Sequence, residues 1–101
     1  MRVILHVEAS CELEAVAEWY ERQRPELGEE LLAEANRAIG LISDGPETWP
    51  RWANAPRLDV RHFLLSRFPY RIIYLVRADH VLVVAFAHTS RDPGYWLGRA
   101  R

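Results

Sequence analysis

RFPYRIIYLV, Arg67 to Val76, and VLVVAFAHTSRDPGYW, Val81 to Trp96, read together as a β-hairpin with a polar tail. Phe68, Tyr70, Ile72, Tyr74 and Val76 alternate with Arg71, Ile73, Leu75 and Arg77, so the first strand has one apolar face and one face tipped with guanidinium groups. The second strand is apolar on both faces, which predicts a central position in a sheet, ending at His88. Thr89 to Trp96 then leaves the sheet carrying hydrogen-bonding and stacking groups.

Outward from the hairpin, Arg57 to Ser66 shows period-two alternation, with Leu58 and Val60 on one side and Arg57, Asp59 and Arg61 on the other. Arg2 to Val7 alternates in the same way and predicts a first strand. Ser10 is the expected N-cap of a helix through Leu13, Val16, Ala17 and Tyr20 that ends near Arg24. Glu12 and Glu14 stand where the helix dipole favours acids. After Pro25, the spacing of Leu27, Leu31, Leu32, Ala35, Ala38, Ile39 and Ile42 predicts a second amphipathic helix that stops at Asp44-Gly45-Pro46. Glu14, Glu18, Glu21, Glu26, Glu29, Glu30 and Glu34 would form the solvated outer face of this helical hairpin. Pro46, Pro50 and Pro56 punctuate a loop too proline-rich for regular structure, in which Trp49 and Trp52 read as lids over the core edge. The order β-α-α-β-β-β implies an α+β fold: an N-terminal strand, a helical hairpin, and a three-stranded antiparallel meander in one sheet under the helices.

The 101 residues, half of them apolar, suffice for one domain spanning 1–101 and one core. No apolar run approaches the roughly 20 residues of a membrane helix, and Val3, Leu5 and Val7 do not form a signal-type block, so a cytoplasmic protein with no membrane partner is expected. The single cysteine, Cys11, excludes an internal disulfide and agrees with a reducing compartment. The net charge of −1 conceals a dipole: residues 1–50 carry four arginines and eleven acids, and residues 51–101 nine arginines and three acids, −7 against +6. At physiological salt, where screening acts over about 8 Å, two such halves would act almost independently. Every basic residue apart from histidine is arginine; planar oxyanion recognition and compositional bias both account for that.

Two groups of residues carry candidate chemistry. Arg57 and Arg61 share a face by period two, as do Arg67, Arg71 and Arg77 on the next strand, so several guanidinium groups would meet on one surface of the sheet. Either a phosphate-bearing or carboxylate-bearing partner visits them, or acids such as Asp59 and Asp92 neutralise them within the fold. His88, Arg91, Tyr95 and Trp96 form the second group, with a proton carrier, a cation and two stacking surfaces suited to RNA cleavage. The structural alternative has His88 ending a strand, Arg91 pairing with Asp92, and Tyr95 and Trp96 packing on the core. No Gly-rich phosphate loop, cysteine pair, His-x-x-x-His spacing or nucleophile-elbow serine is present, so no metal or other cofactor is expected.

The chain resembles the RelE/ParE superfamily of small toxins from type II toxin–antitoxin systems over almost its whole length. The resemblance rests on the entry through Ala9 and Glu12 to Tyr20, Arg24-Pro25-Glu26-Leu27-Gly28, the Pro46 loop, Arg67-Phe68-Pro69-Tyr70-Arg71-Ile72-Ile73-Tyr74, and His88-Thr89-Ser90-Arg91-Asp92-Pro93. It implies a plasmid-stabilisation or growth-inhibiting toxin with a cognate antitoxin that wraps and silences it, and contact with operator DNA only through that antitoxin. RelE-like members cut messenger RNA on the ribosome, and by that resemblance Arg71 and Arg91 would be catalytic, with Tyr95 as a shifted counterpart of the family tyrosine. ParE-like members poison DNA gyrase by protein–protein contact. The Phe-Pro-Tyr strand entry, the Arg-Asp-Pro ending and the missing lysines are closer to the ParE branch. On that reading Arg57, Arg61, Arg67, Arg71, His88, Arg91 and Trp96 are partner-binding candidates. A homologue inactive as a toxin, serving only as antitoxin partner, is the remaining expectation.

Overall fold

The doubly apolar strand His80–His88 runs through the interior of a four-stranded sheet, as its composition demands. In the computed structural model, which describes residues 1–53, 55 and 57–100, it is the last of the elements β1 (Arg2–Leu5), α1 (Val7–Gln23), α2 (Leu27–Asp44), β2 (Val60–Leu64), β3 (Tyr70–Val76) and β4 (His80–His88). The fold is α+β, with strand order β1-β4-β3-β2. β2, β3 and β4 form the antiparallel meander, and β1 pairs parallel to β4, Arg2 with His80 through Leu5 with Val83.

The helices lie on one face. Ala9 and Ala17 of α1 and Leu31, Ala35, Ala38 and Ile42 of α2 pack on Ile72, Tyr74, Val81, Val83 and Phe86. α1 begins earlier than the spacing predicts. The ladder continues through His6, whose amide donates to the Val83 carbonyl (2.8 Å), and the His6 ring Nδ1 then caps the helix by accepting the Glu8 amide (3.1 Å). Ser10 is therefore inside α1, and its amide makes a helical bond to the His6 carbonyl (3.0 Å). The cap of α2 comes from α1: the Glu21 carboxylate accepts the amides of Glu26 (2.9 Å) and Gly28 (3.1 Å), while Glu26 takes a left-handed conformation, φ 74°. The buried Gly28 sits where the two helices approach most closely, since a Cβ there would collide with the Ala17 carbonyl oxygen.

The opposite face of the sheet is also covered. Val60, Ile73, Leu75, Val84, Ala85 and Ala87 lie under Trp96 and Ala100, with Ala55, Trp52 and Leu58 completing a second core. A bulge makes this possible: Ile73 pairs with Ala85 and Tyr74 with Val83, so Val84 is the extra residue and the alternation of β4 shifts by one. The guanidinium-tipped face expected of β3 reduces to Arg71, since Ile73 and Leu75 on that face are buried and the strand ends at Val76, before Arg77. Leu97–Ala100, unplaced by the sequence, forms a 3-10 turn on this face, and Arg101 lies outside the described residues.

The proline-rich loop holds more regular structure than expected, a 3-10 turn at Pro46–Thr48 and a bridge between Arg51 and Arg61 along the edge of β2. Its two tryptophans act on opposite faces. Trp49 packs edge-on to Phe63 (4.5 Å) among the partly buried residues on the helix side, and Trp52 meets Trp96 (5.5 Å) on the other. Glu34 also departs from its expected solvated position. It is only 7% exposed, and its Oε2 accepts the amides of Ser66 (2.7 Å) and Arg67 (3.3 Å), satisfying the tight β2–β3 connection where no strand can. Gly28→Ala is expected to destabilise the protein by about 1–3 kcal/mol through overpacking of the helix crossing, measurable as a lower urea midpoint with unchanged slope.

Candidate functional site

Arg71 rises from the covered face of the sheet between Leu64 on β2 and Ala87 on β4, where the Trp96 cover ends. There it lines a cleft with Trp52, Ile73, Ala87, His88, Thr89, Arg91, Asp92, Pro93, Tyr95 and Trp96, holding about 320 Å3 of empty space open to solvent. Ile73, Ala87 and the fully buried Trp96 are its apolar lining.

The tail that forms one wall is bent by local hydrogen bonds. Thr89 donates its amide to the Pro69 carbonyl (2.9 Å), Arg91 to the His88 carbonyl (3.0 Å), and Ser90 to His88 Nδ1 (3.0 Å). A backbone N–H can only donate, so His88 Nδ1 is an acceptor and a neutral ring carries its proton on Nε2. The His88 ring stands edge-on to Tyr70 (5.1 Å), which stacks on Phe86 (5.0 Å). Gly94 turns the chain at φ 87°. The Arg91 guanidinium then lies over the Tyr95 ring, 4.0 Å from its centroid, in place of a pair with Asp92.

A carboxylate from the helix layer holds this tail. Glu12 accepts the Phe86 amide (3.0 Å), the Tyr95 hydroxyl (2.8 Å) and Arg99 Nη1 (3.0 Å). Arg99 also reaches the Val84 carbonyl (3.1 Å) and Glu8 (3.1 Å). Burial, and then the hydrogen bond and charge of Glu12, push the Tyr95 phenol up to about 12. His62, edge-on to Trp52 (5.3 Å), is held below its usual value by burial and by the charge of Arg71.

The family model described as "ParE toxin of type II toxin-antitoxin system, parDE" matches residues 3–93. The chain belongs to the ParE toxin family. Its fold is also that of a solved structure from P. aeruginosa titled "Chromosomal ParDE TA system", with a TM-score of 0.76 at 17% identity over 87% of this chain and 95% of that one. No curated protein sequence matches the chain.

In this ParE-family fold, Arg71, Arg91, Tyr95 and Trp96 converge on one cleft; His88 borders it at the strand end but turns its ring to Tyr70 on the helix side, and the other arginines scatter. Arg61 points to the helix side, where Asp59 (2.9 Å) and the carbonyls of Glu47 and Trp49 (both 2.9 Å) engage it. β2 begins only at Val60, so Arg57 precedes it and lies exposed in a separate groove with Leu58 and Arg77. Arg67 pairs with Glu30 on α2 (3.1 Å). Period-two counting missed this because a strand face is set by where pairing starts. Trp96, fully buried, supports the cleft from beneath. The sequence reading also missed Glu12, which it had assigned to the helix dipole, as well as Arg99, Trp52 and His62. Contacts such as Glu12 to Arg99, 87 residues apart, leave no local signal.

Tyr95 gives the site an alkaline signature. Its folded value lies above the ordinary 10.0, so the stability it contributes is intact below pH 10 and is lost as pH rises through about 12. Tyr95→Phe is expected to cost about 1 kcal/mol at neutral pH and to lessen the fall in stability over that alkaline window, as followed by urea denaturation at each pH. Trp96→Ala is expected to cost about 3–5 kcal/mol in the same assay.

Proposed function

We propose that the protein is the toxin of a type II toxin–antitoxin pair, that a cognate antitoxin silences it, and that it poisons DNA gyrase by protein–protein contact. The observation that carries this reading is the ParE family match over residues 3–93. The cleft chemistry supports it. Guanidinium groups hold anions without passing protons, and the Tyr95 hydroxyl is committed to Glu12, so the arrangement suits binding better than proton transfer. Arg71, His88 and Arg91 at the cleft, with Arg57 and Arg67 beyond it, are the proposed contact residues. Arg61 and Trp96 act from behind, one bracing the loop and the other the cleft floor.

A second reading is RelE-like cleavage of messenger RNA on the ribosome, favoured by the convergence of Arg71, Arg91 and Tyr95. Adding the purified, antitoxin-free protein to a gyrase supercoiling reaction separates the two. Loss of supercoiling with accumulation of cleaved DNA is expected, and a folded protein that leaves gyrase unaffected overturns the gyrase assignment. Codon-phased cuts in translated messages, abolished by Arg71→Ala, would then establish the second reading.

A further inference from the structure

One carboxylate of the helix layer is only half used. Glu34 Oε2 accepts the Ser66 amide (2.7 Å), the Ser66 hydroxyl (3.2 Å) and the Arg67 amide (3.3 Å), whereas its buried Oε1 has no hydrogen-bond partner. An acceptor withdrawn from water without a donor is costly, and a donor that reaches it recovers that cost. Glu34 has no ion pair among the described residues, and Arg37, one turn further along α2, is exposed and likewise unpaired there. Glu34, Arg37, Ala38 and Leu41 share one side of α2 and face Phe63, Leu64 and Ser66 across a groove with about 430 Å3 of empty space open to solvent. Ala38, Leu41 and Phe63 give it an apolar lining around the carboxylate, and Leu41, 50% exposed, stands uncovered at the rim.

We infer that this groove is a docking socket for a lysine or arginine side chain of a partner polypeptide, its cation on Glu34 Oε1 and its aliphatic stem along Ala38, Leu41 and Phe63. A basic side chain joins hydrogen-bond donors to an apolar stem, which are the two things the groove lacks. A serine hydroxyl would leave the apolar lining uncovered, and a carboxylate has no donor to give. Exposed side chains such as Arg37 and Leu41 change rotamer readily, which gives the incoming stem its way to the buried oxygen. The neighbouring strand edge argues for a polypeptide as the source. Pro50 has no amide to return to the His62 carbonyl, so the bridged segment covers β2 only as far as His62 and leaves the outer side of Leu64 without a strand partner among the described residues. An extended segment pairing at that edge sets its side chains beside the groove. The socket shares no residue with the Arg71 cleft, so the inference goes beyond the toxin reading and stands apart from the gyrase assignment.

The test is an NMR titration of the isotope-labelled, full-length protein with the tripeptide acetyl-Leu-Lys-Leu-amide and with its uncharged counterpart, in which norleucine replaces lysine. Saturable shifts of the Ser66 and Arg67 amides, which share the Glu34 carboxylate, are expected with the lysine peptide. The norleucine peptide should bind roughly tenfold more weakly, the loss of a charge-assisted hydrogen bond. Glu34→Gln keeps an oxygen for the Ser66 and Arg67 amides but removes the charge, and should erase the difference between the two peptides. Leu41→Lys, at an exposed rim position, carries the same test through like-charge repulsion should Glu34→Gln fail to fold. Arg37→Gln should tighten the lysine peptide, since it removes the cation already at the rim. Equal binding of the two peptides by the unaltered protein overturns the inference in favour of apolar docking alone. So does a lysine preference that survives in both folded variants. A response seen only in Arg37→Gln overturns it by showing that Arg37 itself serves Glu34, and n-butylammonium binding as tightly as the lysine peptide overturns the polypeptide occupant in favour of a free amine.

Discussion

β4 is apolar on both sides, and the rest of the molecule is arranged to cover it twice. The helical hairpin buries Val81, Val83 and Phe86, while Trp96, Ala100 and the loop around Trp52 bury Val84, Ala85 and Ala87. The bulge at Val84 is what divides the strand this way, because it places two consecutive residues on the Trp96 side. Small side chains at Ala85 and Ala87 let an indole lie close to the sheet. The same economy of volume leaves Arg71 beside a cleft, so the candidate site is a by-product of how the second face is closed.

Glu12 joins the two layers. β1 ends at Leu5, and the amide of Phe86 further along β4 is satisfied by a carboxylate from α1. That carboxylate also receives Tyr95 and Arg99, so the tail that walls the cleft is anchored to the opposite side of the sheet. Charge works in the same direction. The acidic first half and the arginine-rich second half do not face solvent as separate fields. Glu8 and Glu12 meet Arg99, Glu30 meets Arg67, and Glu34 receives the Ser66 and Arg67 amides. Within the cleft, Arg71 and Arg91 have no carboxylate partner among the described residues, which concentrates positive charge where the tail bends.

Much of this fold was legible in sequence because it rests on local periodicity. The hairpin, the central position of β4, the second helix and its stop at Asp44, and the element order all follow from spacing of apolar residues and from Pro and Gly punctuation. Boundaries were less legible where the cap was unusual. His6 and Glu21 cap the two helices through a ring nitrogen and a carboxylate of the neighbouring helix, and neither resembles the Ser or Asp signal that a sequence offers. Arg71 and the Arg91–Trp96 tail, read from sequence as parts of two separate groups, meet at one cleft, whereas Arg57, Arg61 and Arg67 do not join them.

The sequence by itself determined which segments are strands and helices, which strand is central, and that a polar segment, Thr89 to Trp96, leaves the sheet at His88. Each of these depends on residues within a few positions of one another. Tertiary structure alone decided that Glu34 is buried, that Arg61 turns toward the helices, that Tyr95 is bound to Glu12 and that Arg71 has no acid partner among the described residues. Those outcomes depend on the starting register of β2 and on contacts between residues tens of positions apart, where pairing and burial are set by the whole fold.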